Sequence, residues 1–530
     1  MSNAKFIHWF RADLRLHDVP TITTALKSCS TFYPVYIFDE NDINEQKIKY
    51  NKVRFILDAL KDIDSRLQLN GGRLYVFKGN PAKIFSDLFK KWDISYLSYA
   101  EDVQPMWKET EKSVQEVCEQ NGVKIIQEVS HTLWNLDEIL NANKGQPPVT
   151  YEVFCHVVEV LGTPPRPEPE LKLEGISMPR DDSLMCDLPT DPEELGVHAE
   201  CIQQKNKIWI GGETRAFEHL AERLKVEEAA LADGFFMPNQ VKPDLLGPSM
   251  SLSAALSLGC LSVRKFYWSL QDLHSSVNPD LCVPESLIGQ LLWREYFYAM
   301  CKNNPNYGTM QENPICLNIP WLTDDEKLKS WTNGQTGFPF IDAAMRQMIQ
   351  EGWLHHVGRN AVACFLTRGD LWISWEDGFK VFMKYLIDAD FPVCAGNWMW
   401  VSSSAFENIL QCPTCISPIS YGRCFEPSGD YIRKYVPELK SMPTKYIFEP
   451  WLAPLSVQEQ AGCIIGTDYP YPIVNHQEAA EINGKRMDSI KAGFYQKPFP
   501  LHCAPSNALE TRVFMWLPEK CIENLVQENN

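Results

Sequence analysis

Two runs of sequence, Thr367-Arg-Gly-Asp-Leu-Trp-Ile-Ser-Trp375 and Leu386-Ile-Asp-Ala-Asp-Phe-Pro-Val-Cys-Ala-Gly-Asn-Trp-Met-Trp400, carry the most information about this chain. They place four tryptophans within 34 residues. Trp372 and Trp375 lie three positions apart, so they would share a face if this segment were helical. Such a density of indoles indicates either an aromatic core or the wall of a binding site for a large aromatic ligand.

The second run also contains polar groups that favour the ligand interpretation. Asp388 and Asp390 precede Cys394 in a segment that is otherwise largely apolar. Carboxylates beside several indoles suggest a large aromatic cofactor held by a few polar groups, with aromatic neighbours that can exchange electrons with it.

Upstream of this region, the first 130 residues alternate short apolar runs with amphipathic stretches such as Asn51–Asn70 and Gln104–Gln120. This alternation predicts a parallel, Rossmann-like sheet covered by helices on both faces, in an α/β domain over residues 1–135. The predicted strands are Phe6–Phe10, Tyr33–Phe38, Arg73–Phe77, Ile94–Ala100 and Val123–Glu128.

The remainder of the chain divides into three parts. Residues 136–205 include a stretch rich in proline and acidic residues, which predicts an interdomain linker. Residues 206–505 are predominantly helical in pattern and form a large all-α domain, and residues 506–530 form a carboxyl-terminal tail. The predicted helices of the second domain are Gly211–Val226, Ser253–Leu258, Ser262–His274, Glu285–Cys301, Pro339–Glu351 and Glu376–Leu386.

Composition narrows the class of protein. At 530 residues the chain exceeds the size of a single hydrophobic core, and no apolar run of about 18 residues indicates a membrane span. The 17 cysteines lack a regular framework, which favours reduced thiols in an intracellular protein. Cys412 and Cys415 form a CxxC without a second pair or a nearby histidine, so no metal site is predicted. The formal charge of −18 weighs against high-affinity binding to nucleic acid, without excluding a local basic groove.

A serine-rich segment, Ser249-Met-Ser-Leu-Ser253, precedes a predicted helix. Hydroxyls and free backbone N–H groups at a helix amino terminus are suited to holding phosphate, although such a serine is more often a simple helix cap. The segment is therefore a candidate phosphate-binding loop.

Three further motifs resemble those of the cryptochrome/photolyase family. Phe10-Arg-Ala-Asp-Leu-Arg-Leu-His-Asp18 is similar to the family's amino-terminal signature, and Gln290-Leu-Leu-Trp-Arg294 is similar to its signature helix. Gly334-Gln-Thr-Gly-Phe-Pro-Phe-Ile-Asp-Ala-Ala-Met-Arg is similar to the family motif GxTGxPxxDAxMR. A cysteine at position 394, where photolyases usually have asparagine, resembles the light-sensing type 1 cryptochromes of insects.

The resemblance implies the photolyase/cryptochrome architecture with FAD as cofactor. It implies that Arg359 and Asp388 form an ion pair beside the flavin ring and that Cys394 faces the flavin. The full set of implied cofactor-binding residues is Arg223, Ser249, Met250, Ser251, Leu252, Ser253, Gln290, Arg294, His356, Arg359, Asp388, Asp390, Cys394 and Asn397.

The resemblance also implies an electron-transfer chain rather than catalytic residues. Trp398 is expected nearest the flavin, followed by Trp375 and Trp321, with Trp372 as an outer fourth member. A thiol with a pKa of about 8.5 donates protons poorly at neutral pH, so we hypothesise that the photoreduced flavin beside Cys394 stays anionic.

Two positions bear on whether the protein repairs DNA. Photolyases for cyclobutane dimers have glutamate at the position that matches Gln290. Six-four photolyases use two histidines four residues apart, whereas here His356 is followed by Asn360, and an amide cannot act as a general acid near neutral pH. We therefore expect that the protein is not a DNA repair enzyme and does not take a damaged-DNA substrate.

The function implied is that of a blue-light photoreceptor whose tail, with Phe514 and Trp516 docked near His356, is released by light to signal to the circadian clock. By family resemblance the light-dependent partners are a Timeless-like clock protein and ubiquitin ligase components, in the cytoplasm and nucleus. A six-four DNA photolyase and a light-independent transcriptional repressor of the cryptochrome type are the alternatives.

Overall fold

The computed structural model describes residues 4–45, 47–181, 183–184, 188–232, 244–247, 249–277, 287–406 and 415–496. Its amino-terminal part contains a five-stranded sheet with the order β3-β2-β1-β4-β5, and every neighbouring pair is parallel. The strands are β1 (Lys5–Phe10), β2 (Thr31–Phe38), β3 (Tyr75–Lys78), β4 (Tyr96–Ala100) and β5 (Lys124–Glu128). All five predicted strands are confirmed, with ends that differ by a few residues.

The helices that accompany the sheet are α1 (Pro20–Ser28), α2 (Glu40–Asn44), α3 (Tyr50–Gln68), α4 (Pro81–Trp92), α5 (Pro105–Asn121), α6 (Leu136–Ala142) and α7 (Tyr151–Leu161). The last two fall inside the range 136–205 that was predicted as a linker. The helices that follow are α8 (Glu213–Ala232), α9 (Ser253–Ser257), α10 (Val263–Val277), α11 (Leu287–Cys301), α12 (Asp325–Thr332), α13 (Pro339–Glu351), α14 (His356–Cys364), α15 (Trp375–Tyr385), α16 (Phe391–Val401), α17 (Ser420–Phe425), α18 (Asp430–Tyr435), α19 (Leu455–Ala461) and α20 (His476–Gln496).

The central strand β1 shows why the sheet needs helices on both faces. Successive side chains of a strand point to opposite faces. Ile7 and Trp9 join one buried cluster with residues of α4 and α5, whereas Phe6 and Phe10 join a second cluster that continues into the helical domain. Both faces are therefore buried, which is typical of parallel sheets.

The loop after β1 joins the two domains. The Asp18 carboxylate accepts hydrogen bonds from Arg264 of α10 at 2.8 and 3.0 Å, and both side chains are buried. Gly259 lets the segment before α10 approach the loop after β1 closely, because a Cβ at this glycine would lie 2.0 Å from the Ala12 carbonyl oxygen. The family signature at residues 10–18 is thus a contact between the domains.

Trp372 and Trp375 do not share a helical face, because the segment that contains them is not one continuous helix. A π-helical turn, Phe365–Gly369, ends the preceding helix, and Trp372 has a left-handed backbone with φ of 55°. Ser374 then caps a new helix by accepting a 3.2 Å hydrogen bond from the Glu376 N–H, and this helix begins at Trp375. The two indoles therefore project from a turn and a helix start.

Among the described helices, none combines the length and apolar character needed to cross a membrane.

Candidate cofactor site

Helix α16 supplies one wall of the candidate site. Asp390 caps its amino terminus by accepting a 3.3 Å hydrogen bond from the Val393 N–H. Val393, Cys394 and Asn397 retain accessible surface, whereas the other residues of the helix are buried. This spacing places all three on one helical face, so α16 presents a thiol and an amide to an open space.

The opposing group is an ion pair between α14 and the segment before α16. One guanidinium nitrogen of Arg359 donates to both oxygens of Asp388, at 3.0 and 2.8 Å. The Ser253 hydroxyl donates a third hydrogen bond to Asp388 at 2.6 Å. The Asp388 side chain is 4% exposed and that of Arg359 is 26% exposed, so the carboxylate is enclosed while the cation still faces the open space.

Two adjacent histidines lie at the start of α14. His355 caps this helix by accepting a 3.3 Å hydrogen bond from the Val357 N–H. Burial, followed by the positive charge of Arg359, lowers the pKa of His356 to about 4, although its side chain retains accessible surface. His356 is exposed, so it lies at the accessible edge of the site. The neighbouring His355 has its pKa lowered to about 3, mainly by burial, so both rings are neutral at pH 7.

A second carboxylate, Asp390, lies two residues further along the chain. Asp390 accepts a 2.6 Å hydrogen bond from the Tyr298 hydroxyl, and a guanidinium nitrogen of Arg294 lies 3.5 Å away. His131, from the end of the sheet, lies 3.8 Å from the same oxygen. Burial would raise the pKa of Asp390, but the contacts with His131, Arg294 and Tyr298 outweigh it and lower that pKa. Asp390 is therefore ionised and held by groups from both domains.

The serine-rich segment forms a hydrogen-bonded relay. The Ser251 N–H donates to the Ser249 hydroxyl at 3.2 Å, and the Ser251 hydroxyl donates to Ser253 at 2.8 Å. Because Ser253 donates in turn to Asp388, its hydroxyl supports the ion pair instead of being available to phosphate. Met250 is half-buried, and Leu252 is 5% exposed, so Leu252 can offer a ligand only its backbone.

Arg223 of α8 lies beside this relay. His219, one turn earlier on α8, contacts the Ser249 backbone, and the positive charge of Arg223 acts to lower the pKa of this histidine. One guanidinium nitrogen of Arg223 pairs with Glu227. Within the described residues, its buried Nε–H has no hydrogen-bond partner. The Arg223 side chain is 11% exposed, so a cation lies on the helix that contacts the serine-rich segment, which fits an anionic group such as a diphosphate.

Helix α11 carries Gln290 and Arg294, as the sequence predicted. Gln290 is exposed, whereas Trp293 is 4% exposed and stacks on Tyr151 with 3.7 Å between ring centroids. The structure therefore places an uncharged amide, not a carboxylate, at this edge of the site.

The four tryptophans of the predicted chain occupy two places. Trp321 and Trp372 form a pair with 4.8 Å between ring centroids. Trp398 packs against Gly378, three residues after Trp375 on α15, and a Cβ at that glycine would lie 2.2 Å from the indole. Trp398 also contacts the ring of Trp331 at 6.2 Å, an indole that sequence reasoning did not include.

Sequence reasoning also missed Lys52, whose Nζ donates a 3.1 Å hydrogen bond to the Ala389 carbonyl between the two site carboxylates. No local motif could reveal it, because the two residues are 337 positions apart. The fold also brings Asp370 and His476 to Cys415, with possible ligand atoms within 4.8 Å of one another, a grouping that the spacing of the CxxC does not show. The predicted tail residues Phe514 and Trp516 lie outside the described residues.

The site thus combines an ion pair, an accessible amide and thiol, a serine-rich segment and an arginine on α8, and Trp398 on the same helix as the thiol and the amide. Comparison with known sequences identifies which family builds such a site. Residues 6–170 match the DNA photolyase domain, and residues 287–489 match the FAD binding domain of DNA photolyase. The chain belongs to the photolyase/cryptochrome family.

Similarity to individual members is extensive. The chain is 46% identical to Cryptochrome-1 of Aedes aegypti, over 97% of this chain and 98% of the relative. It is 44% identical to Cryptochrome-1 of Drosophila melanogaster, over 96% of this chain and 98% of the relative. The predicted resemblance to insect cryptochromes within this family is thus confirmed.

Solved structures support the architecture. A bacterial class III photolyase from Agrobacterium tumefaciens superposes with a TM-score of 0.77 at 26% identity, covering 93% of this chain and 98% of that one. A cryptochrome from Synechocystis gives 0.75 at 25% identity, covering 92% of this chain and 100% of that one. The predicted photolyase/cryptochrome fold is confirmed. FAD is the cofactor of its helical domain.

Proposed function

We propose that this protein is a blue-light photoreceptor of the circadian clock and not a repair enzyme. The observation that carries the proposal is the lack, within the described part of the site, of a ready proton donor beside the Arg359–Asp388 pair. Burial raises the pKa of the Cys394 thiol to about 12, so it retains its proton. His356, with a pKa lowered to about 4, is a neutral imidazole at pH 7 and so is not an effective acid.

Bound FAD supplies absorption of blue light and accepts an electron. The residues of the site would balance the added negative charge without a proton. Arg359 is suited to this role, because its guanidinium is anchored to Asp388 yet still faces the cavity. Asn397 is less available, since its amide already donates a 2.8 Å hydrogen bond to the Val393 carbonyl.

We propose Trp398, Trp375, Trp321 and Trp372 as the electron donors, in that order from the flavin outward. The inner two are 3% and 0% exposed, which protects an oxidised indole from water. Trp321 retains accessible surface and contacts Trp372, so a positive charge could be stabilised by solvent at this end of the chain.

The signalling step rests on sequence and on similarity to insect Cryptochrome-1. Light would release the tail with Phe514 and Trp516 from the cavity lined by His356. The proposed partners are a Timeless-like clock protein and ubiquitin ligase components, met in the cytoplasm and nucleus. Light-dependent proteolysis of the tail would distinguish this mechanism from that of a light-independent repressor, for which cleavage should be the same in darkness.

An absorption spectrum of the purified protein before and after blue illumination tests the photochemistry. We expect loss of the oxidised flavin bands without the red absorption of a protonated product. In Cys394→Asn, the amide would accept a hydrogen bond from a protonated ring nitrogen and so would stabilise a proton taken up from water, and the red absorption should appear. Cys394→Ala is the control, because it removes the thiol without adding an acceptor. An identical illuminated spectrum in wild type and Cys394→Asn would contradict the assignment.

The six-four photolyase alternative requires an acid pair that this site lacks, since Asn360 is an amide and His356 is neutral. Incubating the illuminated protein with six-four-damaged DNA should give no restoration of intact bases. Repair above the dark control would overturn the proposal that the protein is not an enzyme.

A further inference from the structure

The backbone of Lys52 belongs to the amino-terminal domain, whereas the end of its side chain contacts the helical domain. It lies on α3, beside the sheet, and its Nζ donates a 3.1 Å hydrogen bond to the Ala389 carbonyl in the helical domain. Ala389 stands between Asp388 and Asp390, the two carboxylates of the FAD site. Lys52 is 8% exposed, so its ammonium group is largely withdrawn from water.

The first turn of α3 is fixed where this contact requires it. The side chain of Asn51 donates to the carbonyls of Ile349 and Gln350, both at 3.2 Å. Gly352 gives Asn51 the space to do so, because a Cβ at that glycine would lie 2.7 Å from the Asn51 Cβ. Lys52 is therefore held against the FAD site by the packing of two domains.

A buried ammonium is costly unless charges or hydrogen bonds compensate it. Burial lowers the pKa of Lys52, and the negative charges of Asp388, Asp390 and Asp42 oppose that change. The influence is mutual, because Lys52 acts to lower the pKa of the Cys394 thiol. The lysine is thus electrostatically part of the site although its direct partner is a neutral carbonyl.

Charge counting shows what Lys52 adds. Arg359 pairs with Asp388, and Arg294 lies beside Asp390, so these four charges balance. Lys52 is a further cation next to the same two carboxylates. Asp42, which also acts on Lys52, has a cation of its own, since the Nζ of Lys47 lies 3.4 Å from its carboxylate. Four groups of the site are neutral at pH 7 and do not alter the count: Tyr298, His355, His356 and Cys394.

We propose that Lys52 is a positioning residue of the FAD site, which fixes the segment between Asp388 and Asp390 and supplies an unbalanced positive charge that favours the reduced, anionic cofactor. The inference rests on the photoreduction proposed above. Its two parts are separable, since the hydrogen bond acts on cofactor binding and the charge acts on reduction.

Three substitutions separate these roles. Lys52→Gln retains a donor for the Ala389 carbonyl but has no charge, Lys52→Met has neither, and Lys52→Arg retains both. Lys61→Gln is the matched control, because Lys61 lies on the same helix and is exposed. For each protein we would measure FAD affinity, the one-electron midpoint potential of bound FAD, and denaturant unfolding of the apoprotein.

We expect both neutral variants to shift the reduction equilibrium at least tenfold toward oxidised FAD, which corresponds to 59 mV for a one-electron couple. Charges in such a partly buried site act through an effective dielectric constant of about 20 instead of 80. Lys52→Arg and Lys61→Gln should stay within threefold of wild type. Lys52→Met should also bind FAD more weakly than Lys52→Gln, whereas its apoprotein should unfold at no lower denaturant concentration than wild type.

A wild-type potential in Lys52→Gln would overturn the charge assignment. Loss of apoprotein stability in parallel with FAD affinity, or failure of both neutral variants to fold while Lys52→Arg folds, would show that Lys52 serves the fold and not the cofactor. If wild-type protein binds FAD but is not reduced by light, the proposed function fails, whereas the dark midpoint potentials still decide the role of Lys52.

Discussion

Replacing Gly378 by alanine tests the packing that holds the innermost proposed electron donor. Gly378 lies inside α15, and a Cβ there would be 2.2 Å from Trp398 and 2.7 Å from a methyl carbon of Leu366. Ordinary carbon–carbon contacts need about 3.5 Å, so the Trp398 ring must move by about 1.3 Å. Since Trp398 is only 3% exposed, it has little free space into which to move.

Two opposing terms determine the stability of Gly378→Ala. Alanine is favoured over glycine in a helix interior by about 1 kcal/mol. Overpacking of a filled core typically costs about 1–3 kcal/mol. Gly484→Ala isolates the first term, because Gly484 also lies inside a helix, α20, but nothing is within 4 Å of its added Cβ.

The free energy of unfolding of the two variants in urea provides the measurement. Gly484→Ala should be more stable than wild type, and Gly378→Ala should be less stable than Gly484→Ala by about 1–3 kcal/mol. Displacement of Trp398 should also slow light-driven reduction of FAD in Gly378→Ala alone. Equal stability of the two variants would refute the reasoning, because it would show that the Trp398 ring yields without cost.

Two further substitutions test the electrostatics. Glu295 is fully buried, and burial raises its pKa to about 7, above the value of 4.5 expected in the unfolded chain. Its protonated form therefore stabilises the fold fully below pH 4.5. This contribution to the free energy of unfolding is lost as the pH rises through 7. At pH 8, Glu295→Gln should therefore unfold with a free energy up to about 3 kcal/mol above that of wild type, a difference that vanishes near pH 4, and an unchanged pH dependence would contradict this. The guanidinium of Arg486 lies 5.2 Å from the centre of the Trp372 ring, where its charge opposes a positive charge on the indole. Arg486→Gln should therefore increase the yield of oxidised Trp372, measured by transient absorption. An unchanged yield would exclude this effect.

Much of the fold follows from local pattern, because its signals are local. The strands were predictable since parallel strands are buried on both faces and appear as short apolar runs. The predicted helix Pro339–Glu351 agrees with the structure at both ends, where proline starts the helix and Gly352, with a φ of 71°, ends it. By contrast, α16 is absent from the predicted helices, because it is buried nearly all round and has no amphipathic period.

The site was predictable mainly where its residues match family motifs. Asp388 and Arg359 were predicted to pair by resemblance to the family, and the structure joins them, as a buried charge requires. Ser253 could be identified as a candidate, but its bond to Asp388 depends on two segments 135 positions apart. Trp372 could not be placed correctly, because its left-handed backbone is imposed by the turn that precedes it and not by its own preference.

Helix α16 shows why the chemistry of this site is sensitive to distant packing. Its open face presents Cys394 and Asn397 to the cavity, whereas its buried side carries Trp398 against Gly378. The same helix is capped by Asp390, which is held by groups from both domains. Any part of a shift at Trp398 that the helix backbone takes up will also displace the thiol and the amide. The positions of the cofactor-facing groups and of the proposed first electron donor are therefore coupled through one helix.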